Sequence, residues 1–238
     1  MELKNAIALC TALASVCSLA HAQTPTSATE LGPTRGFFQE WGQTTDYSKV
    51  SVDLQTGAFD TGGGVRLGLQ NSELIINSGL IGDANEAVFK LGMGSFQAGP
   101  FNVDWAPAIG LSHYDVESEA GDFDRTNFFV GASLTGRADD LIVNLQPAVA
   151  RIEYDDDNDT VLQLGLAAYY ALPETQFGRF MPGIEFTYVN GDVNDDNILS
   201  LGVRWIYTSR IVLDLVFIQE GYEDITSLPG IARLNVAF

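Results

Sequence analysis

A period of two constrains this chain more than any other feature. From Tyr47 onward, runs of roughly ten residues alternate apolar and polar side chains and end in a polar break, the length and rhythm of membrane-spanning strands. Val50, Val52 and Leu54 alternate with Ser51, Asp53 and Gln55. Phe128, Val130, Ala132 and Leu134 alternate with Phe129, Gly131, Ser133 and Thr135. Leu199, Leu201, Val203 and Trp205 alternate with Ser200, Gly202 and Arg204. Side chains two apart share one face of a strand, whereas a helix repeats at i, i+3 and i+4. No stretch reaches the roughly 20 apolar residues of a transmembrane helix. A chain of this kind enters a membrane only as a closed barrel, because hydrocarbon leaves no water to satisfy an open strand edge.

Twelve runs are predicted, over 47–57, 63–70, 73–80, 86–97, 100–114, 125–137, 140–154, 160–172, 180–191, 197–208, 210–220 and 227–238. The expected fold is all-β, a closed antiparallel transmembrane β-barrel of 12 strands. The third run is the least regular, since Leu74, Ile75 and Ile76 are consecutive; losing it with a neighbour would leave ten. The breaks support twelve. With both termini periplasmic, the odd breaks become extracellular loops, such as 117–124, 155–159 and 191–196. The even breaks become tight turns, such as Asn71-Ser72 and Gly99-Pro100, with 172–179 the one long exception. Aromatics on the apolar face then fall near the two ends: Trp105, Tyr170, Phe180, Tyr207 and Phe238 at one, Phe89, Phe128, Tyr188 and Phe217 at the other.

Residues 1–22 read as a cleavable signal peptide: Lys4, an apolar run from Ala6 to Ala20, then Ala20-His21-Ala22. Both cysteines, Cys10 and Cys17, lie in it, so the mature chain is expected to carry no disulfide and no thiolate metal site. Its removal takes one basic and one acidic residue, so the formal charge stays at −19, which disfavours nucleic acid as a partner. Residues 23–46 form a periplasmic N-terminal segment, either a tail or, through Phe37-Phe38-Gln39-Glu40-Trp41, a plug. The barrel occupies 47–238.

The last strand places Leu234, Val236 and Phe238 on one face and stops on phenylalanine. It resembles the C-terminal signal by which bacterial outer-membrane β-barrels are recognised for assembly. The resemblance implies outer-membrane localisation, lipid and lipopolysaccharide as surroundings, and the barrel-assembly machinery as a partner.

The inward parity is rich in small residues, including Gly92, Gly94, Ala106, Ala108, Gly110, Gly131, Ala148, Gly165 and Gly202, which suggests space in the lumen. Its charged residues alternate in sign over half the wall: Glu185, Arg204, Asp214, Arg233, Asp53 and Arg66. The simpler reading is a salt-bridged ladder across the seam of first and last strands; the functional one is a constriction with a selective field. The facing half offers Asn144, Gln146 and Gln163, with Lys90 and Asp104 between.

Asp155-x-Asp157-x-Asp159 and Asp192-x-Asn194-x-Asp196 present alternating oxygens, as the start of a calcium loop does, but lack the following glycine and the distal glutamate. Solvated acidic loops are the simpler reading; the alternative is Ca2+ or Mg2+ bridging them to anionic lipopolysaccharide. No other cofactor is expected. An enzyme would need an oriented histidine, and the mature chain offers His113, whose neighbour Ser112 has the opposite parity. The sequence thus favours a narrow porin-like channel for small hydrophilic solutes or ions. A closed barrel acting through its acidic loops is the alternative, ahead of a lipid-modifying enzyme.

Overall fold

A computed structural model describes residues 34–46, 48–57, 61–79, 83–118, 121–154, 158–191, 195–220 and 230–238. The expected signal peptide, 1–22, and residues 23–33 lie outside them. The alternation becomes thirteen strands: β1 (Val50–Gly57), β2 (Thr61–Leu69), β3 (Ser72–Gly79), β4 (Asp83–Leu91), β5 (Ser95–Ala98), β6 (Phe101–Ser118), β7 (Gly121–Ala138), β8 (Leu141–Tyr154), β9 (Asn158–Tyr170), β10 (Arg179–Asn190), β11 (Asp195–Thr208), β12 (Ile211–Glu220) and β13 (Gly230–Ala237). All pairings are antiparallel, and β1 closes on β13 with Asp53 opposite Asn235 and Gln55 opposite Arg233.

Twelve staves make the barrel, because β4 and β5 both lie against β6 and are two lengths of one stave. The run expected over 86–97 is broken at 92–94, where Gly94 takes φ of 92°, outside strand geometry. Met93 donates to the Trp105 carbonyl at 3.1 Å, and Trp105 to the Gly94 carbonyl at 3.3 Å, which holds the break on β6. The first stave also starts later than the alternation suggested, at Val50, after Ser48 with φ of 62°.

Parity sorts the side chains as a membrane barrel requires. Leu54, Ile109, Leu111, Leu145, Leu166, Ile184, Leu201, Leu215 and Leu234 are exposed in a band around the outside. Phe180 stacks on Trp205 with centroids 6.1 Å apart, and Trp205 meets Tyr207 edge-on, forming an aromatic patch at the end where β1 begins and β13 finishes. Such a surface suits lipid, with aromatics at the interface. The packed centre lies within the wall. There Phe37 and Trp41, from the segment before β1, are fully buried against Ile142, Tyr169, Met181, Ile206 and Val212.

Candidate functional site

Every residue singled out for the charged row points inward and is buried: Asp53, Arg66, Glu185, Arg204, Asp214 and Arg233. Their partners differ from a continuous wall ladder. Arg204, Asp214 and Arg233 stand directly opposite one another on β11, β12 and β13. Arg204 grips Asp214 with two bonds of 2.7 and 2.9 Å. Arg233 instead donates to Gln55 at 2.8 and 3.2 Å and to the Phe37 carbonyl. At the seam Asp53 faces Asn235, offset by two residues from Arg233, and Arg66 faces Ser51. The remaining charges turn to residues 34–46, which occupy the lumen.

Thr34–Trp41 is a small hairpin. The Gly36 amide donates to the Gln39 carbonyl at 2.7 Å, the Trp41 amide to Thr34 at 3.0 Å, and Arg35 bridges Glu40 across it. At its tip the amides of Phe37, Phe38 and Gln39 converge on the Glu185 carboxylate at 2.6, 2.9 and 3.2 Å. Successive amides aimed at one point make an anion-binding concavity, here filled by a wall carboxylate. The Tyr169 hydroxyl also donates to Glu185, while Arg204 donates to the carbonyls of Arg35 and Gly36 at 2.8 and 3.1 Å.

The hairpin's two charged side chains are matched by opposite charges on the wall. Arg35 pairs with Asp53 at 2.9 Å. Glu40 takes two bonds from Arg66, at 2.7 and 2.8 Å, and one from Lys90 at 3.1 Å. Burial alone would raise the Glu40 carboxyl, but Arg66 and Lys90 outweigh it and hold it below the usual carboxylate range. Glu73 binds both ends of the segment: it accepts from Thr34 at 2.6 and 2.9 Å and from Thr45 at 2.6 Å, and it pairs with Lys90 at 2.7 Å.

Neutral groups complete the seat. Gln146 accepts from the Glu40 amide at 2.9 Å, Thr135 from the Gly42 amide at 2.7 Å, and Asn144 donates to Gln39 and to the Glu40 carbonyl. Asp104 accepts from Gln43. Trp41 lies 5.8 Å from Tyr169, edge-on, with the Arg204 guanidinium 5.2 Å over its ring. The small inward residues make room for this segment. A Cβ on Gly202 would come within 2.9 Å of the Phe37 ring, and Gly165 lies against Gln39 in the same way.

No family model and no curated protein matches the chain. Among solved structures it is similar to the KdgM porin in complex with disordered oligogalacturonate, with a TM-score of 0.53 and 10% identity, over 80% of this chain and 98% of that one. The chain has the fold of a twelve-strand outer-membrane β-barrel. A NanC porin covers the same shares at a TM-score of 0.48 and 14% identity. OmpT of Vibrio cholerae gives 0.43 and 11%, over 75% of this chain and 64% of that one. At such identities the likeness concerns the fold.

The hairpin sits on the half of an unequal wall nearer the start of β1 and the end of β13. Toward β8–β12 that half presents Ile142, Tyr169, Met181, Ile206 and Val212, an apolar sector that the reading of a polar lumen did not single out. Glu73 was also missed, because it adjoins the consecutive Leu74, Ile75 and Ile76, where alternation is blurred; Ile75 is the buried one. Lys90, Asp104 and Asn144 are buried inward, and Gln146 and Gln163 are half-buried.

Of the loop residues, Asp155, Asp157, Asp192 and Asn194, and the side chain of Asp196, lie outside the described residues. Asp159 stands in β9 opposite Ile152 and is buried, so it belongs to the wall rather than the loop. His113 is on the outer face, 3.1 Å from the Thr126 hydroxyl, while Ser112 is buried and accepts from Asn127 at 3.1 Å. The two share no site. Leu234 and Phe238 are exposed on the lipid face, and the Phe238 amide donates to Val50 at 2.8 Å.

Proposed function

We propose that this porin-like barrel is a narrow channel for small hydrophilic solutes or ions, closed by its own segment 34–46 and conducting when that segment leaves. One observation carries the reading: the segment is held chiefly by charged and hydrogen-bonding groups. Once it departs, Glu73, Glu185, Arg204, Arg233 and Thr135 can be hydrated, so the emptied lumen is a polar path. The row Arg204–Asp214–Arg233 would then supply the local field at the constriction.

A closed barrel with a structural or surface role is the second reading, favoured by the apolar cluster around Phe37 and Trp41. Planar-bilayer recordings separate the two. Residues 23–238, refolded and checked by heat-dependent gel mobility, should give rare openings; a chain lacking 34–43 should give discrete ohmic steps. A shortened barrel that folds and stays silent selects the closed reading, and so does a segment whose weakening by Glu40→Gln leaves conductance unchanged. Divalent cations between the acidic loops and lipopolysaccharide, and capture of Leu234, Val236 and Phe238 by the assembly machinery, belong to both readings.

A further inference from the structure

Above the hairpin, toward the extracellular end, the lumen holds a cavity of about 280 Å³ lined by Arg35, Phe38, Asp53, Asn77, Glu86 and Arg233, among others. Two of its charges cancel, since Arg35 pairs with Asp53. The other two form no salt bridge among the described residues, though Asp214 stands opposite Arg233 on the neighbouring stave. Arg233, 4% exposed, spends its bonds on neutral acceptors, Gln55 and the Phe37 carbonyl, and forms no ion pair among the described residues. Glu86 accepts from Asn77 at 2.7 Å and likewise forms no ion pair among them. Buried charges are ordinarily paired directly, and this cavity presents a buried guanidinium and a half-buried carboxylate, neither in a salt bridge among the described residues.

A free anion is a poor match, because the extracellular breaks are rich in aspartate and the chain carries −19, a field that repels it. A free cation meets Arg233 in the same space. A neutral molecule forms a salt bridge with neither. A solute bearing one carboxylate and one ammonium avoids all three penalties. We propose that this cavity binds a small zwitterionic solute of the amino-acid or short-peptide class, its carboxylate on Arg233 and its ammonium on Glu86. The site deepens the channel reading and rests on it for its consequence: Arg233 also anchors the hairpin through the Phe37 carbonyl, so a carboxylate that draws the guanidinium away loosens the closing segment.

Saturation-transfer NMR on the refolded 23–238 barrel at pH 7 tests this with glycylglycine as the probe. Glycylglycinamide lacks its carboxylate and N-acetylglycylglycine lacks its ammonium. Glycylglycine should half-saturate at a concentration about tenfold lower than either analogue. Arg233→Gln should erase its advantage over the amide, and Glu86→Gln its advantage over the acetylated form. An analogue within about threefold of glycylglycine in the wild-type barrel, or no saturable signal, overturns the proposal. The titration needs no conduction. Discrimination in a barrel that never conducts would remove the channel and keep the site; conduction without discrimination would do the reverse.

Discussion

Between Thr34 and Thr45 the segment carries one carboxylate, Glu40, and one cation, Arg35. Glu40 is held below the ordinary carboxylate range when docked beside Arg66 and Lys90. The released segment takes up a proton more readily than the docked one. Docking is therefore favoured in full above the free carboxyl's value, about 4.5, and weakens as pH falls below it. Channel openings should become more frequent below that pH, by no more than about tenfold per pH unit from this one group. Glu40→Gln should raise openings at neutral pH and flatten the acid response; recordings between pH 7 and 3 check both. At Arg233 the expected effect is on stability. Arg233→Ala removes bonds to Gln55 across the seam and to the hairpin, and should cost about 1–3 kcal/mol, read as a lower temperature for the heat-dependent gel shift. Unchanged stability with altered ion selectivity would make Arg233 a field-setting residue instead.

The hairpin is the element on which closure depends, and its amides should report it. Phe37, Phe38 and Gln39 donate to a buried carboxylate and should exchange hydrogen slowly while the segment is docked. Trp41→Ala leaves a void beside Tyr169 and Arg204 and should weaken docking by about 3–5 kcal/mol, seen as faster exchange at those amides and more frequent openings. Strands were legible because each stave has a wet or packed inside and a lipid outside, which imprints a period of two; even β13, with Leu234 outward and Arg233 inward, reads directly. The sequence is silent where that contrast fades. Ile142, Ile206 and Val212 point inward yet are apolar, because they meet Phe37 and Trp41 rather than water. The hairpin has no period at all: its order comes from Glu185, Arg204 and Glu73 on distant staves. Inward charges could be listed from parity, but the partners of Asp53, Arg66 and Glu185 could not, since those partners lie on a segment whose path the alternation does not encode.

At the scale of the molecule, the acidity sets how the outer rim meets its surroundings. With 31 acidic against 12 basic residues, the rim favours divalent cations over free anions. If calcium or magnesium bridges the loops to lipopolysaccharide, chelation should raise protease sensitivity in 155–159 and 191–196 while leaving the barrel's heat-dependent mobility unchanged; equal sensitivity with and without the ions argues for loops that are merely solvated.

Finally, the hairpin touches β1 through Asp53, β3 through Glu73, β10 through Glu185, β11 through Arg204 and β13 through Arg233, partners up to 196 residues away in the chain. It therefore stands to the wall as a mandrel to a coil. A segment that precedes the sheet in sequence thus ties the first stave to the last, on both sides of the seam where the wall closes.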